Sequence, residues 1–133
     1  MNRPRLEQLR QFLLELPDDR FRYECYFSDS EAYDDPVLIR NPECQTAACV
    51  GGWVIALFGC GPVRTPSVDA QRLLDLNDQE AGFLFLTCIN HSSRQDAIRR
   101  IDHLLSWKPL DEYDWNLEDN GAFKSRVLQR EQR

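Results

Sequence analysis

The sequence is short of the residues that most reaction chemistries need. Two histidines, His91 and His103, are all the imidazoles in 133 residues, which leaves little for metal or acid–base sites built on several of them. No apolar run reaches the ~20 residues that cross a bilayer; the longest, Ala47 to Gly61, stops short, so no membrane role is expected. Basic charge is also scarce: 16 Lys and Arg face 22 Asp and Glu, for a net charge of -6. Phosphate backbones are gripped by clustered cations, so general nucleic-acid binding is not expected. The start, MNRPRLEQLRQF, has no unbroken apolar core and reads as an amphipathic helix rather than a secretory signal. Repeats and low-complexity tracts are lacking too. Five cysteines, an odd number without secretory context, read as free thiols in a reducing cytoplasm.

What is there suits one globular domain. The chain is 42% apolar and 29% charged, enough for a single core. Leu6, Leu9, Phe12, Leu13 and Leu16 recur at helical spacing, predicting a helix over 4–16 that ends at Pro17. Next, Phe21, Tyr23 and Cys25 alternate with charged residues, as in one short extended arm. An acidic loop follows, SDSEAYDDPVLIRNPE; it lacks the glycine and closing glutamate of a calcium loop. Helices are then predicted over 46–58, after Thr65 or Ser67, after Asn77 with Glu80 as a capping box, and after Ser92 or Ser93. The expected fold is all-α: a single-domain bundle of five to six helices, with a helical core over 1–109. Residues 110–133 are expected to form an acidic-aromatic arm and a short polar helix.

The stretch CQTAACVGGWVIALFG is the most informative. Read as a helix, it puts Cys44, Ala48, Gly52 and Ala56 on one ridge of small residues. Two adjacent helical glycines cost roughly 1 kcal/mol each against alanine, so a close backbone approach by another helix, or by a ligand, is the expected return. Helical geometry would also turn Cys44 and Cys49 away from each other, and no second cysteine pair exists to complete a zinc site. No metal and no cofactor are expected. A thiol nucleophile remains an alternative: Cys44 or Cys49, with His91 or His103 as base.

CQTAACVGGW, followed by AQRLLDLNDQEAGFLF and AIRRIDHLL, resembles a family of small uncharacterised bacteriophage and bacterial proteins. Its pattern is Cys-Gly-Thr-x-x-Cys-x-x-Gly-Trp/His, then LGLS/T-x-x-E-A-x-x-LF, then a helix carrying A-I-x-x-I/L-D. Leu16, Pro17, Phe21 and Tyr23 match its amphipathic first helix and aromatic arm, so the resemblance covers about residues 5–106. It implies the fold and a phage context, with Cys44, Thr46, Cys49, Gly52 and Trp53 as the motif. Gln45 replaces the usual glycine, Asp75 and Asn77 depart from the LGLS segment, and the acidic-aromatic tail lies outside the pattern. The resemblance implies no activity.

Three function classes follow. The first is a small non-enzymatic accessory protein, phage-encoded and cytoplasmic, that binds a host or phage macromolecule and modulates host defence; a protein partner would dock on Tyr113 and Trp115. The second is a binder of a small anionic ligand, a nucleotide-signal sponge using Thr46 at the start of the central helix with Arg94, Arg99 and Arg100. The third is a cysteine-dependent hydrolase. For each residue set a structural role competes: Tyr113 and Trp115 as a tail folded back on the bundle, the arginines as a solvent face, and the cysteines as small core residues.

Overall fold

Leucines at positions 6, 9 and 13 have no exposure at all, and that stripe makes α1 the beam on which the rest packs. In the computed structural model, which describes residues 1–23, 25–85 and 93–118, α1 is Arg3–Glu15, with Asn2 accepting from the N–H of Arg5 at its start. The other helices are α2 Val50–Phe58, α3 Pro66–Leu73, α4 Asp78–Phe85 and α5 Arg94–Leu105. Short 3-10 turns fill the connections, and the described residues contain no sheet. The all-α expectation holds.

Helix α2 runs through the middle; residues 50 to 56 are all buried. It packs on α3 and the 3-10 turn Pro36–Arg40, while α5 lies along α1. The caps follow the sequence. Ser93 and Asp96 form a full capping box at α5, and Asn77 with Glu80 exchange the same pair of bonds at α4.

The central helix starts later than its sequence suggested. Cys44 to Cys49 are not helical; α2 begins at Val50 with Cys49 as its cap residue. Ala48 instead pairs in a parallel bridge with Phe21, with Arg22 N donating to Ala48 O (3.0 Å) and Ala48 N to Arg20 O (3.2 Å). Ser28 N to Ala47 O and Cys49 N to Cys25 O extend the contact. The extended arm therefore finds its partner in the motif's own first half, and the ridge from Cys44 through Ala56 is not a continuous helical one. The glycines do admit a close neighbour, but it is the arm and not a helix. A Cβ on Gly52 would lie against the Tyr26 carbonyl, and one on Gly51 would meet the Tyr26 ring at 2.7 Å.

Four helices end without a basic residue of their own serving their last carbonyls, and an arginine from elsewhere does so each time. Arg94 donates to Leu13 O at the end of α1 (2.7 Å), and Arg40 to Ala56 O and Leu57 O at the end of α2 (2.6 and 3.0 Å). Arg5 reaches Leu73 O at the end of α3 (2.8 Å), and Arg3 reaches Leu105 O at the end of α5 (2.7 Å). Each satisfies orphan acceptors and opposes the negative end of a helix dipole.

The chain after residue 109 is continuous with the core at least as far as Glu118. Tyr113 and Glu118 are buried, and Glu118 pairs with Arg100 of α5. The polar helix expected near the C-terminus, together with His91 and Cys88, lies outside the described residues.

Candidate functional site

The motif residues meet around Arg20, a residue that sequence reasoning assigned to the arm and overlooked. Arg20 is only 7% exposed. Its Nε donates to Thr46 O and its Nη2 to Ile39 O, both at 2.7 Å, with Asn41 O at 3.5 Å from Nη1. Its guanidinium lies 5.1 Å from the Trp53 ring centre, and Trp53 Nε1 donates back to Arg20 O (3.0 Å). Three backbone carbonyls and an indole thus neutralise the cost of a buried cation. The only hint in the sequence was an arginine alternating with aromatics, which is equally the signature of a solvent-facing strand.

Cys44 is half-buried at the edge of this hub. Hydrogen bonds from the Thr46 hydroxyl and N–H hold its thiol below the ordinary value of 9.0; Arg20 adds to this, while desolvation and Asp29 oppose it. Thr46 is itself buried, its carbonyl taken by Arg20, so it does not offer a ligand-binding hydroxyl at an open helix start. Among the described residues, the groups acting on Cys44 include no imidazole. Cys49 is buried. His103 sits on α5 between Phe83 and Tyr113, its Nε2 2.7 Å from Pro109 O. Among the described residues, no group of three or more His, Cys, Asp or Glu is placed to hold a metal ion.

Above the hub is an open slot of about 170 Å³. Phe12, Leu16 and Pro17 at the end of α1 form one wall, Ile39 and Pro42 the other, and Trp53 the floor. Phe12 packs on Trp53 with ring centres 4.9 Å apart. Glu15 and Arg40 also line it, with opposite charges, and Val37 and Leu38, which precede Ile39 in the chain, are exposed, Leu38 by 58%. The slot's volume is on the scale of one large apolar side chain.

The other predicted sites are corrected by their surroundings. Arg94, Arg99 and Arg100 are not a shared anion patch. Arg94 is bound to α1 and to Asp18, and Arg99 to Asp96. Arg100 has no exposure; it forms a two-pronged pair with Glu118, at 2.7 Å to each oxygen. The i, i+5 and i+6 spacing of the three scatters them around the helix. Tyr113 and Trp115 are not exposed anchors either. They stack edge-on with Phe83 at 5.0 and 5.6 Å, and Tyr113 donates to Glu118 at 2.6 Å. Burial, reinforced by Glu118, pushes the Tyr113 phenol far above its usual range.

No family model matches the chain, and no curated protein or solved structure is significantly similar to it.

Proposed function

We propose that the chain is a small non-enzymatic accessory protein, phage-encoded and cytoplasmic, that binds a protein partner and through it modulates a host function such as defence. The phage setting rests on the motif resemblance alone. The binding reading rests on one observation: the motif residues are spent on folding, and what they support is an open apolar slot. Trp53 and Arg20 line it, and its size suits one inserted side chain. Interfaces concentrate their energy in such desolvated pockets. The hydrolase alternative is less favoured because, among the described residues, Cys44, though inclined to ionise, is acted on by Thr46, Arg20 and Asp29 and by no imidazole.

The test is affinity purification from host cells with the wild-type chain and with Pro42→Arg. Pro42 is exposed and lines the slot, so the variant should fold normally. The expected result is one stoichiometric protein partner, recovered by the wild type across several salt concentrations and lost with Pro42→Arg. An empty wild-type purification, or a partner indifferent to Pro42, rejects the slot as the binding site.

A further inference from the structure

Trp107 is placed where a tryptophan fits badly. It follows Ser106, the last residue capping α5, and its backbone is left-handed at φ 66°. Glycine is the usual occupant of that position, and a bulky residue there is an outlier. Burial does not offset the strain, because the residue is 80% exposed, more than any other large apolar side chain among the described residues. Strain of this kind persists only where the surroundings impose it. Here one face of the indole rests on the Arg3 guanidinium, 4.0 Å from its carbon, and Arg3 is itself fixed by Leu105 O.

The ring forms a wall of a cavity of about 440 Å³ at the junction of α1, α4 and α5. Leu104 and Leu110 line its apolar side, and Gln79 and Lys108 its polar side. The polar side is rich in donors that are not in use. The Lys108 ammonium and the Gln79 amide have no partner among the described residues, and Arg3 Nη1 is buried with no acceptor. The acids nearby are engaged: Glu80 accepts from Asn77 N (3.0 Å), and Asp75 pairs with the N-terminal amine (3.3 Å).

We propose that this shelf binds a free mononucleotide, its base stacked on the open face of Trp107 and its phosphate held by Lys108 and the Arg3 side. The volume falls within the range of roughly 300–1,000 Å³ typical of small-molecule sites, and indole faces take nucleobases irrespective of sequence. A flat ligand with one anionic end fits a wall that is aromatic on one side and cationic on the other. The chain's net charge of -6 disfavours a long polyanion, which selects the free nucleotide over a strand. The shelf lies at the N-terminal end of α1 and the slot at its C-terminal end, so this inference is independent of the protein-binding reading.

The experiment titrates the full chain with AMP and with GMP, following tryptophan quenching and confirming by calorimetry. Adenosine, inorganic phosphate and an eight-nucleotide oligo(A) are run alongside. The expected result is saturable binding of at least one nucleotide, weaker binding of adenosine, and none of phosphate alone. Trp107→Gly suits the left-handed backbone and should fold with the wild-type helical signal, while losing affinity by about tenfold or more, as loss of one base–aromatic stack does. Lys108→Gln should weaken AMP binding by about tenfold but leave adenosine unchanged, and it serves alone if Trp107→Gly does not fold. Absence of saturable nucleotide binding, affinity unchanged in both variants, or oligo(A) binding more than tenfold tighter than AMP would each overturn the proposal.

Discussion

Replacing Gly52 by alanine puts the account of the motif at risk most directly. In an exposed helix the change would stabilise by roughly 1 kcal/mol. Here the new Cβ would fall onto the Tyr26 carbonyl, 2.9 Å from its carbon, and 2.8 Å from the Ala48 Cβ. Neither neighbour is the loose end of a side chain. The arm must move, and its bonds from Cys49 N to Cys25 O and Ser28 N to Ala47 O move with it. Overpacking costs about 1–3 kcal/mol and each weakened bond about 1 kcal/mol. Set against the helix gain, the net loss is about 2–4 kcal/mol, a fall in Tm of roughly 8–15 °C for a domain of this size. Gly82 supplies the control: it is exposed, nothing lies within 4 Å of its Cβ position, and Gly82→Ala should gain roughly 0.5–1 kcal/mol. Urea unfolding followed by circular dichroism measures both. If Gly52→Ala were as stable as Gly82→Ala, the arm would not pack on α2 as described.

The remaining expectations probe the hub and the buried pair. Arg20→Met strips donors from Thr46 O and Ile39 O and should cost about 3 kcal/mol or more by denaturant unfolding; a loss under about 1 kcal/mol would mean those carbonyls find other partners. Thr46→Val should raise the Cys44 thiol pKa, since Thr46 is the main group holding it down, and so slow iodoacetamide labelling of Cys44 near neutral pH while exposed Cys60 reacts as before. An unchanged Cys44 rate would remove the Thr46 contact from consideration. Tyr113 is an acid whose folded pKa lies above its unfolded value of about 10, so its contribution is present below pH ~10 and declines as pH rises beyond it. Wild type should therefore lose more stability between pH 8 and pH 11 than Tyr113→Phe does, and equal slopes would argue against a buried phenol.

Much of the fold was legible because local signals agreed with one another. The leucine stripe of α1, Pro17 at its end, the capping box of α4 and the serine cap of α5 all follow from spacing and cap chemistry. The motif was legible only in part. Small residues from Ala47 to Gly52 are compatible with a helix and with a close-packed extended segment, and nothing local decides between them. The decision is made by Arg20, Arg22, Cys25 and Ser28, which supply backbone partners to residues 47–49 and leave the helix to begin at Val50. The candidate site failed for the same reason. Arg20, Arg94 and Arg100 look like surface cations in any window of sequence, and their acceptors lie at least 18 residues away. Of the three rings at the start of the tail, Trp107 differs from Tyr113 and Trp115 only in where the chain turns.

The long-range arginines also explain how short helices hold together in an acidic chain. Helices of 8 to 13 residues are marginal alone, and each exposes carbonyls at its end that need donors. An arginine reaching from another element satisfies those carbonyls and joins two elements in one bond set. Arg3 and Arg5 tie the start of α1 to the ends of α5 and α3, and Arg94 ties the start of α5 to the end of α1. The two ends of the α1–α5 pair are thereby locked in opposite directions, which fixes their antiparallel register as well as their contact. Arg40 does the same between its 3-10 turn and the end of α2, and so sets the width of the slot above Trp53. Binding at that slot would then draw on a wall held by two hydrogen bonds to α2 backbone, a rigid edge rather than one that must order on contact. By the same logic Arg3 holds the indole of Trp107 in place before any ligand arrives. Several arginines are committed to architecture first, and both proposed binding surfaces are built from what those commitments leave exposed.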